Sequence, residues 1–165
     1  GNTWPTHKDT IIKESVRQYA EKKYTIISTF DSISLPHENY SICAEKVCLV
    51  LDDLGCDFIV GGNIGSDQFS VIFLVDPSIH LGKDILESAL SSITKLIAHY
   101  AGSVTGGNGD GIIRTPYISV SSDTHIRNLY REIQQLFDPE QILNSGKKTF
   151  LTGDYTTRHI QNPKL

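Results

Sequence analysis

Apolar residues along the chain follow two rhythms: recurrence at every third and fourth position, and short runs of β-branched and aromatic types. The clearest helical stripe spans residues 83–100, where Ile85, Leu86, Ala89, Leu90, Ile93, Leu96, Ile97 and Tyr100 share a face. Similar stripes predict helices over residues 8–22 (Ile11, Ile12, Val16, Tyr19, Ala20), 38–54 (Ala44, Val47, Cys48, Leu51, Leu54) and 123–136 (Ile126, Leu129, Tyr130, Ile133, Leu136). Gly55 stands where the second of these needs a C′ residue. Residues 24–34, 56–60 and 69–75 read as strands, the first closed by Leu35-Pro36 and the last by Asp76-Pro77. Gly61–Asp67 reads as the turn of a hairpin, and a short fourth strand is expected at 102–105.

The order from about residue 24 to 105 is therefore β-α-β-β-α-β, the split βαβ or ferredoxin-like arrangement of the α+β class. It predicts an antiparallel sheet with two helices on one face and extra helices at both ends. The opposite face is left for the terminal helices or a partner domain. One domain over residues 1–150 is expected, followed by a polar, loosely held tail over 151–165. Fold of this kind does not name a function.

Composition narrows the partners. The chain has 165 residues, a net charge of −4, no basic run and no aromatic-plus-basic stripe, which argues against nucleic acid. No apolar run is long enough to cross a bilayer. Cys43, Cys48 and Cys56 are odd in number and form no CxxC, so they read as buried thiols of a reduced, cytoplasmic protein. The absence of Met and the start at Gly1 predict a piece of a longer protein. The six histidines show no metal-ligand spacing, and no metal site is expected. Asn39-Tyr40-Ser41 is read as a chance glycosylation pattern.

Candidate chemistry concentrates in Ser103–Tyr117. Five glycines fall between Gly102 and Gly111, followed by Arg114 and Pro116. Glycine this dense packs poorly and serves close approach of backbone to something else. The spacing does not fit a dinucleotide fingerprint, and Pro116 stands where its phosphate-binding helix would run. Gly146-Lys147-Lys148 lacks the glycine and hydroxyl residue of a P-loop. Taken without context, the glycine stretch is equally a surface connection. Likewise Phe137-Asp-Pro-Glu-Gln-Ile-Leu-Asn-Ser-Gly-Lys147 is a helix stop and turn.

Together these stretches resemble the C-terminal domain of the FAD-linked oxidases, the group of D-lactate dehydrogenase, the glycolate oxidase flavin subunit and D-2-hydroxyglutarate dehydrogenase. The matching positions are Gly102, Gly109, Gly111, Arg114, Pro116 and Tyr117, then Phe137, Asp138, Pro139, Ile142, Leu143, Asn144, Gly146 and Lys147. The family's hairpin motif falls on Gly62–Ser70, and its D-x-S-x-P motif on Ser32–Pro36. The resemblance implies a ferredoxin-like domain that caps FAD held mainly by a separate N-terminal FAD-binding domain. It implies oxidation of a 2-hydroxy acid, the α-hydrogen going to flavin as hydride and the hydroxyl proton to a base. The small-molecule carboxylate would meet Arg114, a bidentate anchor whose bland alternative is a surface ion pair. Asn144 and Lys147 would lie near the flavin edge. For the full-length enzyme it leaves open peripheral attachment at the inner membrane face.

The chain departs from the family where its chemistry is strongest. The hairpin's two histidines are Asn63 and Ser70, and the glycine loop's Glu-His is Gly107-Asn108. None of these can serve as a base near neutral pH. These four positions remain candidates for substrate contact, and Asp67 and Asp110 are the candidate bases. The alternative is a ferredoxin-like small-molecule-binding or regulatory domain without catalysis, for which a homodimer through sheet edges is one form.

Overall fold

A computed structural model describes residues 14, 17–19, 21, 22, 24–75, 83–107, 109–149, 155 and 156. Most of the helix expected over 8–22 and of the tail lies outside the described residues. Those described at 14, 17–19 and 21 are helical.

Three antiparallel strands, β1 (Thr25–Ser34), β2 (Asp57–Asn63) and β3 (Gln68–Val75), pair in the order β1-β3-β2. Helices α1 (His37–Asp53) and α2 (Lys83–His99) follow β1 and β3 in the chain, and α3 (Gly111–Ser121) and α4 (Thr124–Phe137) complete the fold. Along β3 the side chains alternate. Phe69, Val71, Phe73 and Val75 join the hydrophobic core, while Ser70, Ile72 and Leu74 take the opposite face. On β1 the core residues Ile27, Phe30 and Ile33 stand three apart, because register shifts on either side of Phe30 each add a residue. Such bulges re-aim neighbouring side chains. From α2, Leu86, Ala89, Leu90, Ile93 and Ile97 close the core at 0% exposure. Each such leucine or isoleucine side chain contributes about 1.5–3 kcal/mol by burial.

Both core helices end in a Schellman turn. In α1, Gly55 takes φ 68°, its N–H bonds to Asp52 O, and Cys56 N–H bonds to Leu51 O. In α2 the left-handed position is Ala101 (φ 57°), with Ala101 N–H to Ala98 O and Gly102 N–H to Ile97 O. Cys43 and Cys56 are buried and Cys48 half-buried, all as free thiols. Burial pushes the Cys43 thiol up to about 11. Asn39 donates its side-chain amide to Tyr100 O at 3.1 Å, holding α1 to the end of α2.

The structure corrects the sequence reading in four places. The α+β class stands, but the fourth strand is only a bridge between Ser103 and Ser34, after which the glycines carry the chain away. Gly61 and Gly62 belong to β2, paired with Ser70 and Phe69, so the turn shrinks to residues 64–67. The third correction is α3, a helix where a loop was expected, with Pro116 inside it. Proline there removes the helical bond to the Ile112 carbonyl. Packing offsets the loss: Tyr117 and Ile118 are buried, and Tyr117 meets Phe30 edge-to-face at 5.7 Å. The fourth lies in the tail, where Thr156 is buried with its hydroxyl donating to Ile113 O at 2.6 Å.

Candidate functional site

The glycine loop runs along the outer edge of β1. Ser34 and Ser103 exchange backbone bonds of 2.9 and 2.8 Å, and Gly106 N–H donates to Ser32 O at 2.6 Å. A Cβ on Gly106 would come within 2.5 Å of Ser34 Cβ, and one on Gly102 within 2.6 Å of Leu35 Cδ2. These two glycines permit contact with the protein's own strand. Gly109 and Gly111 have nothing within 4 Å of that position, and Gly111 takes φ 56° to open α3.

The hairpin tip meets the loop from the other side. Gln68 donates its amide to Gly106 O at 3.3 Å and accepts from Ser32 Oγ at 3.4 Å. Gly107 stands over the same pair, its Cβ direction 2.7 Å from Ser32 Oγ. Ser70 is buried and donates to Asp31 O at 2.5 Å. Asn63, the last residue of β2, pairs in register with Gln68. Asn108 lies outside the described residues.

Arg114 is buried and committed to protein acceptors. Its Nε donates to Thr29 O at 3.0 Å, Nη1 to Gly109 O at 3.3 Å, and Nη2 to the Asp31 carboxylate. A substrate carboxylate would compete with Asp31 for this fork. Arg114 thus ties the loop and α3 to β1.

Of the two candidate bases, Asp110 is buried just before α3 and bonded to Lys148 Nζ at 2.8 Å. That bond raises the Lys148 ammonium above its ordinary pKa. Asp67 (φ 52°) holds His37 Nδ1 at 2.7 Å, and the bond raises the His37 pKa. His37 opens α1 directly after Pro36, and its ring is largely exposed. Sequence reasoning found no metal-ligand spacing among the histidines and gave this one no role. Its partner Asp67 lies thirty residues away, and only the hairpin brings them together.

The segment after α4 folds around Asp138, whose two carboxylate oxygens accept from Ile142 N–H (2.9 Å) and Leu143 N–H (2.8 Å). Gln141, Asn144, Gly146 and Lys148 all take positive φ between 49° and 80°. Each non-glycine residue there costs on the order of 1 kcal/mol, and such strain persists where surrounding contacts hold it. Lys147 Nζ donates to Asn144 Oδ1 at 2.8 Å. Both line an open, mainly apolar pocket of about 290 Å³ whose other walls include Tyr130, Ile133 and Leu143. Lys148 N–H donates to Thr115 Oγ1 at 2.9 Å, so Lys148 ties this segment both to Asp110 at the end of the glycine loop and to α3.

Three segments distant in sequence thus meet: the hairpin tip, the glycine loop and the stretch after α4. The family model for FAD linked oxidases, C-terminal domain, matches residues 2–148. The chain belongs to that family. It is accordingly the C-terminal domain of an FAD-dependent oxidoreductase, a family that implies an N-terminal FAD-binding domain as its partner. No curated protein matches the chain.

Within this oxidase domain, Asn144, Lys147 and the apolar walls fit the edge of a flat heteroaromatic ring. The walls offer apolar surface, and the Lys147 ammonium keeps donors beyond the one given to Asn144. Of the residues the sequence singled out, the structure places Asp67, Ser70, Gly107 and Arg114 around β1, and Asp110, Asn144 and Lys147 around the ending. Sequence reasoning missed Asp31, Gln68, His37 and Lys148; a charge inside an apolar strand was the available signal for Asp31. Among the described residues no group of three potential metal ligands occurs, and no helix is long and apolar enough to cross a membrane.

Proposed function

We propose that this domain forms the substrate side of an FAD-dependent oxidase or dehydrogenase acting on a small 2-hydroxy acid. The observation that supports a common pocket is the glycine loop's double tether, Gln68 to Gly106 on one side and Lys148 to Asp110 on the other. Bound flavin supplies a two-electron acceptor that takes up the substrate's α-hydrogen as a hydride equivalent.

The chain's own task is to hold the substrate and accept its hydroxyl proton. We assign the proton to the His37–Asp67 pair. Asp110 is neutralised by Lys148, whereas the Asp67 carboxylate fixes the His37 Nδ1–H and leaves Nε2 as the acceptor. Arg114 acts as a positioning residue that keeps Asp31 and the glycine loop in place. Lys147, on the rim of the apolar pocket, is assigned to the substrate carboxylate. The exposed apolar side chains of Leu136, Phe137, Ile142 and Leu143 form the surface offered to the FAD-binding domain. Asn63 and Asn108 stay assigned to substrate contact on the family pattern.

Anaerobic mixing of the whole flavoprotein with D-lactate, glycolate or 2-hydroxyglutarate tests the reading. At least one should bleach the flavin, and His37→Asn should slow that bleaching about 10²- to 10⁴-fold, the range for loss of a general base. A flavin that none of these acids reduces overturns the substrate class. Unchanged bleaching in His37→Asn overturns the base.

A further inference from the structure

The glycine loop ends in Gly109-Asp110-Gly111, where Asp110 carries the one side chain. A Cβ on either glycine would meet open space, and backbone flanked by glycine on both sides is soft. Its course must therefore be set by residues outside it. Arg114 is one: Nη1 holds Gly109 O at 3.3 Å, while the rest of the guanidinium is fixed to Thr29 O and Asp31 on β1. Lys148 is the other, holding the buried Asp110 carboxylate at 2.8 Å.

This second bond departs from local preference at both ends. Asp110 stands at the N-cap of α3, where an Asp ordinarily accepts a backbone N–H of the first turn, yet its side chain makes no cap bond. Its carboxylate goes to Lys148 instead. Lys148 in turn takes φ 67°, a left-handed conformation uncommon for a residue with a side chain. Strain of this kind persists where surrounding contacts hold it and gathers at functional sites. The Lys148 ammonium also lies over the ring of Tyr130 on α4, 4.9 Å from its centroid. Tyr130 and Lys148 both line the 290 Å³ pocket assigned to the flavin edge. One side chain thus touches that pocket and the end of the glycine loop.

We propose that Lys148 is a positioning residue, which fixes the glycine loop through Asp110 and so sets how tightly the loop holds the substrate. The proposal rests on the assignment of Gly107 and Asn108 to substrate contact. Arg114 pins the loop to this domain's own sheet; Lys148 pins it to α4 and the segment after it, the surface assigned to the FAD-binding domain.

The whole flavoprotein gives the test. Lys148→Met keeps the stem and the backbone bond to Thr115 Oγ1 but removes the ammonium. Titration with whichever of D-lactate, glycolate and 2-hydroxyglutarate bleaches the parent should show affinity weakened about 5-fold or more, the lower range for coupled sites. The limiting rate of bleaching should change far less, as expected when binding rather than chemistry is lost. Without substrate, amide exchange at residues 109–111 should quicken in the same variant, with α2 unchanged. Lys148→Arg keeps the charge and should restore both readings. Because Lys148→Met leaves Asp110 buried and unpaired, a variant that also carries Asp110→Asn removes both charges. It should fold as the parent and keep the weakened affinity, and it carries the comparison should Lys148→Met fail to fold. Parent-like affinity and exchange in Lys148→Met, or full recovery in the double variant, overturn the proposal. Weakened affinity with loop exchange unchanged would make Lys148 a direct substrate contact and overturns it too. A parent flavin that none of these acids bleaches overturns the substrate reading alone, and the exchange measurement still decides the role of Lys148.

Discussion

Helices α2 and α4 read alike in sequence, each with an apolar stripe at three-and-four spacing, yet they end in opposite environments. The α2 stripe is sealed, with Leu86, Leu90, Ile93 and Ile97 at 0% exposure. The α4 helix buries none of its residues, and its stripe grows more exposed toward its end, from Ile126 at 38% to Phe137 at 78%. Periodicity therefore reports that a face will be covered, not what covers it. For α2 the cover is this domain's own sheet. For α4, in a family built around a second, FAD-binding domain, we assign the cover to that partner. The segments that follow the two helices differ in the same way. After α2 the chain turns inward through Gly102 against Leu35; after α4 it turns around Asp138 and presents Ile142 and Leu143 outward.

Substitutions at matched positions sharpen the contrast. Leu90→Ala in α2 should lower the unfolding free energy by about 2–5 kcal/mol, since it opens a cavity in packed core. Leu136→Ala in α4 should change it by no more than about 0.5 kcal/mol while weakening association with the FAD-binding domain. Urea unfolding of both variants checks the pair, and equal losses would break the comparison. Gly106→Ala drives a methyl group into Ser34 and should cost about 1–3 kcal/mol. Gly109→Ala meets open space and should cost much less. At the end of α2 the effect reverses: Ala101→Gly relieves a left-handed residue and should stabilise by up to about 1 kcal/mol.

The smallest effect is the pH response of the His37–Asp67 pair. Asp67 raises the His37 pKa in the folded state. The stability this pair contributes is complete below the unfolded histidine pKa of about 6.5 and is lost as pH rises through the folded value. Proton NMR titration should place His37 above 6.5, and Asp67→Asn should return it toward that value.

Much of the fold was legible in the sequence because its signals are local: the stripe of α2, the apolar run of β3 and the glycine at position 55 each describe their own segment. What escaped is non-local. Helix α3 was hidden because its buried face begins with Arg114, a charge whose partners Thr29 and Asp31 lie on a distant strand. The fourth strand failed because the glycines that let the loop approach β1 also deny it regular pairing. The candidate site was legible as motifs but not as contacts. Asp67 and Asp110 looked equivalent until His37 and Lys148 were seen beside them.

The central claim is that the exposed stripe of α4 and the segment after it form the face toward the FAD-binding domain. Amide hydrogen exchange over residues 124–143, measured in this chain alone and in the chain joined to that domain, tests it most directly. The account predicts marked slowing of exchange across this stretch on joining, with the amides of α2 unchanged. Exchange at 124–143 that is the same in both would contradict it.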